Sequence, residues 1–193
     1  MPRKQCTYII SDINVFKAKL IDFTRDLDCF CFLDSNSIDT DNTFDFLLAF
    51  NKNQELIGAK KPFLDLKNFL DHHNDWLFGY LTYDLKNEIE TLKSNNLNCH
   101  YFPKLHFFIP DFILKVKNNN LTIFAHENYS FRMIDLLFDK INQTTIITDD
   151  VSSIKIQPRV SKSEYVKNIN NIKKHLQAGD IYEMNYCQEF YAE

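Results

Sequence analysis

Ser161 to Glu193, SKSEYVKNINNIKKHLQAGDIYEMNYCQEFYAE, is the stretch on which the reading of the chain turns. Ser161 followed by Glu164 is a capping box, in which each side chain satisfies a backbone donor at the opening of a helix. Tyr165, Ile169, Ile172 and Leu176 then recur at helical spacing, leaving Lys167, Asn168, Asn170, Asn171 and Lys174 on the wet side. Gly179 ends the helix. From Asp180 the period becomes alternating: Tyr182, Met184, Tyr186 and Phe190 share one face, interrupted by Gln188, and Glu183, Asn185, Cys187 and Glu189 share the other. This predicts a strand over Ile181–Phe190. A strand that runs to the last residues with no turn or partner after it reads as the interior of a domain, so a truncated domain is expected.

The rest of the chain sets bounds on what that domain does. With 193 residues and 45% hydrophobic content the chain can bury a core, and the length allows one domain or slightly more. A net charge of −4 argues against a nucleic-acid groove or an anionic membrane surface, both of which need concentrated Lys and Arg. No apolar run approaches the roughly 18 residues that span a bilayer. The cysteine count is odd, Cys29 and Cys31 are two apart on an expected strand, and MPRKQCTYII lacks a signal peptide's apolar region, so a cytoplasmic location is expected. Only three glycines occur, Gly58, Gly79 and Gly179, too far apart for a dinucleotide or P-loop fingerprint.

In chain order, Cys6–Ile10 reads as a strand, Ser11 or Asp12 as an N-cap, and Ile13, Phe16, Leu20, Phe23 and Leu27 as a helix stripe. Cys29–Leu33 reads as a buried strand, Asp34–Thr43 as a polar loop, and Phe44–Phe50 as a strand closed by a hairpin turn at Asn51-Lys52-Asn53. Pro62 opens a helix with Phe63, Leu66, Phe69 and Leu70 facing inward. His72 and His73 are adjacent, about 100° apart on a helix, which does not suit a metal pair. Trp76–Tyr83 reads as an aromatic strand, with Gly79 allowing close backbone approach and Asp84 capping a short helix over Leu85–Leu92. His106–Ile109 and Phe112–Val116 read as strands separated by Pro110, and a turn at Asn118–Asn120 returns Leu121–Ala125 as a hairpin. Phe131, Ile134, Leu137, Phe138 and Ile141 mark a further helix, and Asn142–Pro158 is the expected linker.

GDIYEMNYCQEF, preceded by its Tyr-Val-x-x-Ile-x-x-Ile-x-x-x-Leu helix, resembles the opening of the chorismate-binding domain of the chorismate-utilising enzymes, which include anthranilate synthase component I, aminodeoxychorismate synthase component I and the isochorismate synthases. GYLTYDLKNEIE and FFIPDFIL resemble further blocks of the same family, in the family's order. Asn185 and Gln188 resemble the Y-x-x-N-x-x-Q pattern of the aminodeoxychorismate branch. The resemblance implies an α+β fold of mostly antiparallel sheets with packed helices, the N-terminal part of the anthranilate synthase component I-like fold, truncated. It implies an N-terminal domain over residues 1–150, then a linker and the start of the catalytic domain over 151–193.

The Leu33-Asp34-Ser35 element resembles the L-x-S element that lines an amino-acid pocket in tryptophan-inhibited members. By that match Ser35, Asn42, Thr43 and Phe44 are the pocket positions, with Thr43 where an Arg is often found. A Ser or Asx turn joining two strands is the alternative. The family's reaction adds ammonia to chorismate, with Mg²⁺ holding a carboxylate of the substrate and a glutamine amidotransferase subunit as partner. The P-I-K-G-T lysine motif and the E-K-x-x-E metal helix of that reaction are absent from the sequence. Asp149-Asp150 and Glu88/Glu90 put their carboxylates on different faces, and Ser35 lacks a nucleophile elbow. No catalytic residue, metal ligand or cofactor is therefore assigned to this chain, and Mg²⁺ is expected only of a complete enzyme. A stand-alone amino-acid-binding module and a subunit-docking module stay open as alternatives, as does an anthranilate synthase fragment.

Overall fold

The computed structural model describes residues 2–36, 38, 44–58, 60–92, 100–148 and 153–192. It divides into two compact units, Met1–Ile147 and Thr148–Glu193. Among the described residues no helix is long and apolar enough to cross a membrane.

The first unit is a six-stranded antiparallel sheet, so the chain is α+β with a mostly antiparallel sheet and several helices. Strands β1 (Lys4–Ile9), β2 (Phe30–Asp34), β3 (Phe46–Ile57), β4 (Phe78–Leu81), β5 (Leu105–Lys117) and β6 (Asn120–Ala125) are ordered β1-β6-β5-β3-β2, with β4 pairing the first half of β5. Helices α1 (Ile13–Phe23) and α3 (Phe131–Gln143) pack on one face. Their Phe16, Leu20, Phe23, Ile134 and Ile141 meet Phe46, Leu48 and Phe50 of β3, Phe112, Leu114 and Val116 of β5, and Leu121, Ile123 and Ala125 of β6. The other face gathers Leu47, Ala49, Phe78, Phe108 and Ile113. Side chains alternate across a strand, so the unbroken apolar run Phe46–Phe50 is the signature of a strand buried on both faces.

Both helix starts on this face are set by short side chains. Asp12 accepts from the amides of Asn14 and Val15 at 2.9 and 3.0 Å, and Ser130 accepts from Met133 at 3.3 Å. After α1 a 3-10 turn, Thr24–Asp26, redirects the chain, so Leu27 reaches the core from an extended residue. The buried Asp22 carboxylate accepts from the Ile147 amide at 2.9 Å and pairs with Arg25 at 2.7 Å, and these partners, the Ile147 hydrogen bond foremost, hold its pKa below the usual carboxylate range.

Five expected features differ. Asn51-Lys52-Asn53 is no hairpin turn: β3 runs straight through it, and the register passes from Lys52↔Pro110 to Gln54↔Ile109, leaving Asn53 as the extra residue of a bulge. Nor does Pro110 break β5, since the bulge sits opposite the one residue that has no N–H to give. β2 is an edge strand with Phe30 and Leu33 exposed, not a buried one. Asp84 lies inside a 3-10 turn, Tyr83–Glu88, and pairs with Lys86 at 3.4 Å instead of capping a helix. Helix α2 (Pro62–His73) forms with Pro62 in its first turn, yet Pro62 is its one buried residue, and Phe63 and Leu70 are exposed instead of facing a core.

Gly79 has a steric reason. A Cβ there meets His106 O at 2.0 Å and Phe107 Cα at 2.6 Å, both on the paired strand β5. Only a residue without a side chain lets β4 lie in this register.

In the second unit, α4 (Lys162–Ala178) starts where Ser161 Oγ accepts from the Glu164 amide at 3.3 Å and stops at Gly179, whose φ of 79° is left-handed. The strand expected over Ile181–Phe190 is reduced to β8 (Phe190–Tyr191), paired with β7 (Gln157–Pro158). Residues 181–189 find no ladder partner, because alternation supplies a face but not a neighbour to hydrogen-bond.

Candidate functional site

A groove with polar and charged lining lies at one end of the sheet. It has a volume of about 260 Å³ and is lined by Ile13, Asn14 and Lys17 of α1, Asp34, Ser35 and Ile38 after β2, Asp45 and Phe46 at the start of β3, and Lys117 and Asn118 at the β5–β6 turn. The antiparallel register builds it. Phe46 opposes both Asp34 and Val116, so the ends of three strands meet there. Ser35 N–H donates to Asp45 O at 2.9 Å and Asp45 N–H to Val116 O at 2.7 Å.

Two ion pairs line the groove. Lys17 Nζ donates to Asp34 Oδ2 at 2.8 Å, and Lys117 Nζ to Asp45 Oδ1 at 3.3 Å. The Asn118 amide donates to Asp45 Oδ2 at 2.5 Å and the Asn36 amide to Asp34 Oδ1 at 2.9 Å. The Lys17 hydrogen bond, seconded by the Asn36 amide, holds the Asp34 carboxyl below its ordinary pKa against the opposing effect of burial. Lys17 Nζ also stands 5.5 Å from the centre of the Phe46 ring, so an apolar surface lies beside the charges.

Of the four residues singled out in the sequence, Ser35 lines this groove. Phe44 does not: it packs with Cys29 and Cys31 against the Leu47–Ile113 cluster on the opposite sheet face. Asn42 and Thr43 lie outside the described residues. The charged groups, Lys17, Asp34, Asp45 and Lys117, escaped the sequence reading. Asp34 stands inside the Leu33-Asp34-Ser35 element, but the meeting of Asp45 with Lys117 depends on the β3–β5 register, which no local pattern announces.

The second unit offers a larger, apolar groove of about 360 Å³ lined by Pro158, Val160, Lys162, Tyr165, Gln188 and Phe190. Gln188 Nε2 donates to Val160 O at 2.9 Å, while its Oε1 is buried with no partner among the described residues. Tyr186 stacks on Tyr165 with centroids 5.2 Å apart and receives a hydrogen bond from Asn168 Nδ2 at 2.7 Å. Asn185 is exposed. Among the described residues no three His, Cys, Asp or Glu side chains converge as a metal centre.

The chain is 28% identical over 134 residues to an anthranilate synthase component I-like protein of Synechocystis sp. (strain ATCC 27184 / PCC 6803 / Kazusa), a match covering 66% of this chain and 27% of that protein. The chain thus spans about a quarter of the length of that curated relative. The chorismate binding enzyme family matches residues 27–193, from just before β2 to the last residue, and so takes in most of the first unit and all of the second but not β1, α1 or Lys17. On the strength of that match the chain belongs to the chorismate binding enzyme family.

Proposed function

We propose that the chain is the N-terminal portion of a chorismate-utilising enzyme of the aminodeoxychorismate branch. The parent aminates chorismate to 4-amino-4-deoxychorismate on the way to 4-aminobenzoate and folate. The observation that carries this reading is the block Gly179–Phe190, whose Asn185 and Gln188 follow that branch's pattern inside a family match that runs to residue 193. On this reading the lysine, the carboxylates that hold Mg²⁺ and the chorismate site belong to the remainder of the parent, as does the surface for a glutamine amidotransferase subunit. The 193-residue chain does no turnover of its own.

The part this chain plays is to supply the amino-acid groove beside Ser35. An α-amino acid presents a carboxylate and an ammonium a few ångströms apart, and the groove presents two ammonium and two carboxylate groups beside Phe46, Ile13 and Ile38. A zwitterion can exchange with either internal pair without leaving a charge unmatched, which supports this ligand class over a simple anion or cation.

A second reading, anthranilate synthase component I, is favoured by the name of the Synechocystis relative. Product analysis separates the two. The protein extended to the length of that relative, given chorismate, Mg²⁺ and ammonia, is expected to accumulate aminodeoxychorismate, which an added lyase converts to 4-aminobenzoate. Fluorescent anthranilate formed without the lyase overturns the branch assignment in favour of the second reading.

A further inference from the structure

Elsewhere in the first unit, a charged pair is almost wholly enclosed. Arg3 Nε and Nη2 donate to the two carboxylate oxygens of Asp75 at 2.9 and 3.0 Å, and both side chains are only 4% exposed. The same guanidinium donates to Pro110 O at 2.7 Å and Asp111 O at 3.2 Å. Asp75 Oδ1 further accepts from the Trp76 amide at 2.7 Å. Burial pushes the Asp75 carboxyl up, but the Arg3 and Trp76 hydrogen bonds outweigh it and leave the group below its ordinary pKa.

The site ties the segment after α2 to the start of β1 and to β5, which the sheet already holds together. Pro110 and Asp111 lie on β5 opposite the Asn53 bulge, and the Asp111 carboxylate is itself held by Tyr129 Oη at 2.8 Å and Asn53 Nδ2 at 3.2 Å. Asp75 sits just past the left-handed Asn74 that ends α2. Helix α2 contributes only Pro62 to burial, and Phe63, Leu64 and Leu70 are exposed, so hydrophobic packing does little to fix it. Beyond Asp75, Trp76 stacks on Phe78 and on Phe124 with centroids 6.1 Å away in each case. A groove of about 240 Å³ beside the pair is lined by Asp75, by His72 and His73 of α2, and by Asn53, Ile109 and His126.

We propose that Arg3 is a latch: it holds the connection Pro62–Trp76 down on the sheet, and when it is undone that connection lifts as a local unit while the sheet stays folded. A buried ion pair holds only while every donor and acceptor is used, and removing one member strands the other without water. The stranded Asp75 regains solvent by lifting the segment that carries it, and that segment has few buried apolar groups to resist. The sheet keeps its helix-covered core, while on the other face Trp76 leaves its stack on Phe78 and Phe124 as the segment lifts.

Trp76 is the chain's only tryptophan and reports the opening directly. Arg3→Met keeps an apolar stem but removes every donor. In this variant the Trp76 emission is expected to shift to the red, and amide exchange over residues 62–76 to quicken by at least about tenfold, while amides of β3, β5 and β6 keep their protection. Arg3→Lys keeps the charge but cannot span the carboxylate and two carbonyls at once, so it falls between Arg3→Met and wild type. Unchanged emission and exchange in Arg3→Met overturn the proposal. So does a loss of protection across the whole sheet, which makes Arg3 a support of the global fold and not a latch.

Discussion

The two units begin their main helices in the same way and end up differently. In α3, Ser130 caps, the stripe Ile134, Leu137, Phe138 and Ile141 follows, and Ile134 and Ile141 are fully buried against the sheet. In α4, Ser161 caps, the stripe Tyr165, Ile169, Ile172 and Leu176 follows, and not one residue is buried. After α4 the chain leaves Tyr182 98% exposed, with Met184 and Phe190 also in solvent. A cap, a stripe and a stop fix a helix, therefore, but only a sheet with matching apolar strands turns a stripe into a core. The first unit contains such a sheet within its own sequence. Among its described residues the second pairs just two short strands, and Gln188 Oε1 lacks a donor there.

The largest effect that can break this comparison comes from separating the units. Residues 1–147 are expected to unfold in one cooperative denaturant transition, whereas an isolated 148–193 peptide is expected to show little far-UV helical signal, since isolated helices of about this length are marginal in water. A well-folded 148–193 peptide would erase the contrast. Single truncations sharpen it. Leu48→Ala in the first core is expected to lose about 2–5 kcal/mol of stability. Ile172→Ala on α4 is expected to lose under about 1 kcal/mol, because a half-exposed side chain gives back little buried area. Equal losses in urea titrations would mean that α4 is as well packed as the sheet.

Next in size comes Gly79→Ala. The added methyl collides with backbone and not with a movable side-chain tip, so a loss of roughly 3 kcal/mol is expected, at the upper end for overpacking. A neutral result would show that the β4–β5 register is adaptable.

How far this contrast was legible beforehand depends on whether a feature is local. The Asp12 cap, the α3 stripe and the Ser161-to-Gly179 helix could be read directly, because each rests on residues within one or two turns of each other. So could the close approach at Gly79. Asn51–Asn53 and Pro110 misled for a shared reason: each is a sound breaker signal alone, and they cancel only because the register sets them opposite each other as a bulge. The apolar face of Ile181–Phe190 was equally clear, yet a ladder needs a second strand. Within the groove, Ser35 could be found through its family element, whereas Lys17 and Lys117 reach Asp34 and Asp45 across 17 and 72 residues of chain. Phe44, two residues before Phe46, turned to the other sheet face.

The smallest effect lies in that groove. The Lys17–Asp34 pair is partly exposed, so Asp34→Asn is expected to lower stability at pH 7 by only about 0.2–1 kcal/mol. The folded-state pKa of Asp34 is depressed, so the pair's contribution is fully present above the unfolded carboxylate value, near about pH 4, and is lost as pH falls through the lower folded value. The stability gap between wild type and Asp34→Asn should hold from pH 7 to about pH 4 and close below it. A gap that persists at pH 2 would assign the effect to something other than the ion pair. On binding, isothermal titration with L-tryptophan should show weaker affinity in Asp34→Asn than in wild type, by about tenfold for one lost charge-assisted contact. Equal affinities would place any amino-acid site elsewhere.

The proposed function puts the lysine and carboxylates that act on chorismate outside these 193 residues. The most direct measurement incubates the purified 193-residue protein with chorismate, Mg²⁺ and ammonia and follows products by mass spectrometry. The account expects no aminodeoxychorismate, anthranilate or isochorismate above the uncatalysed background, with chorismate recovered intact. Steady formation of any of the three, in proportion to added protein, would contradict it.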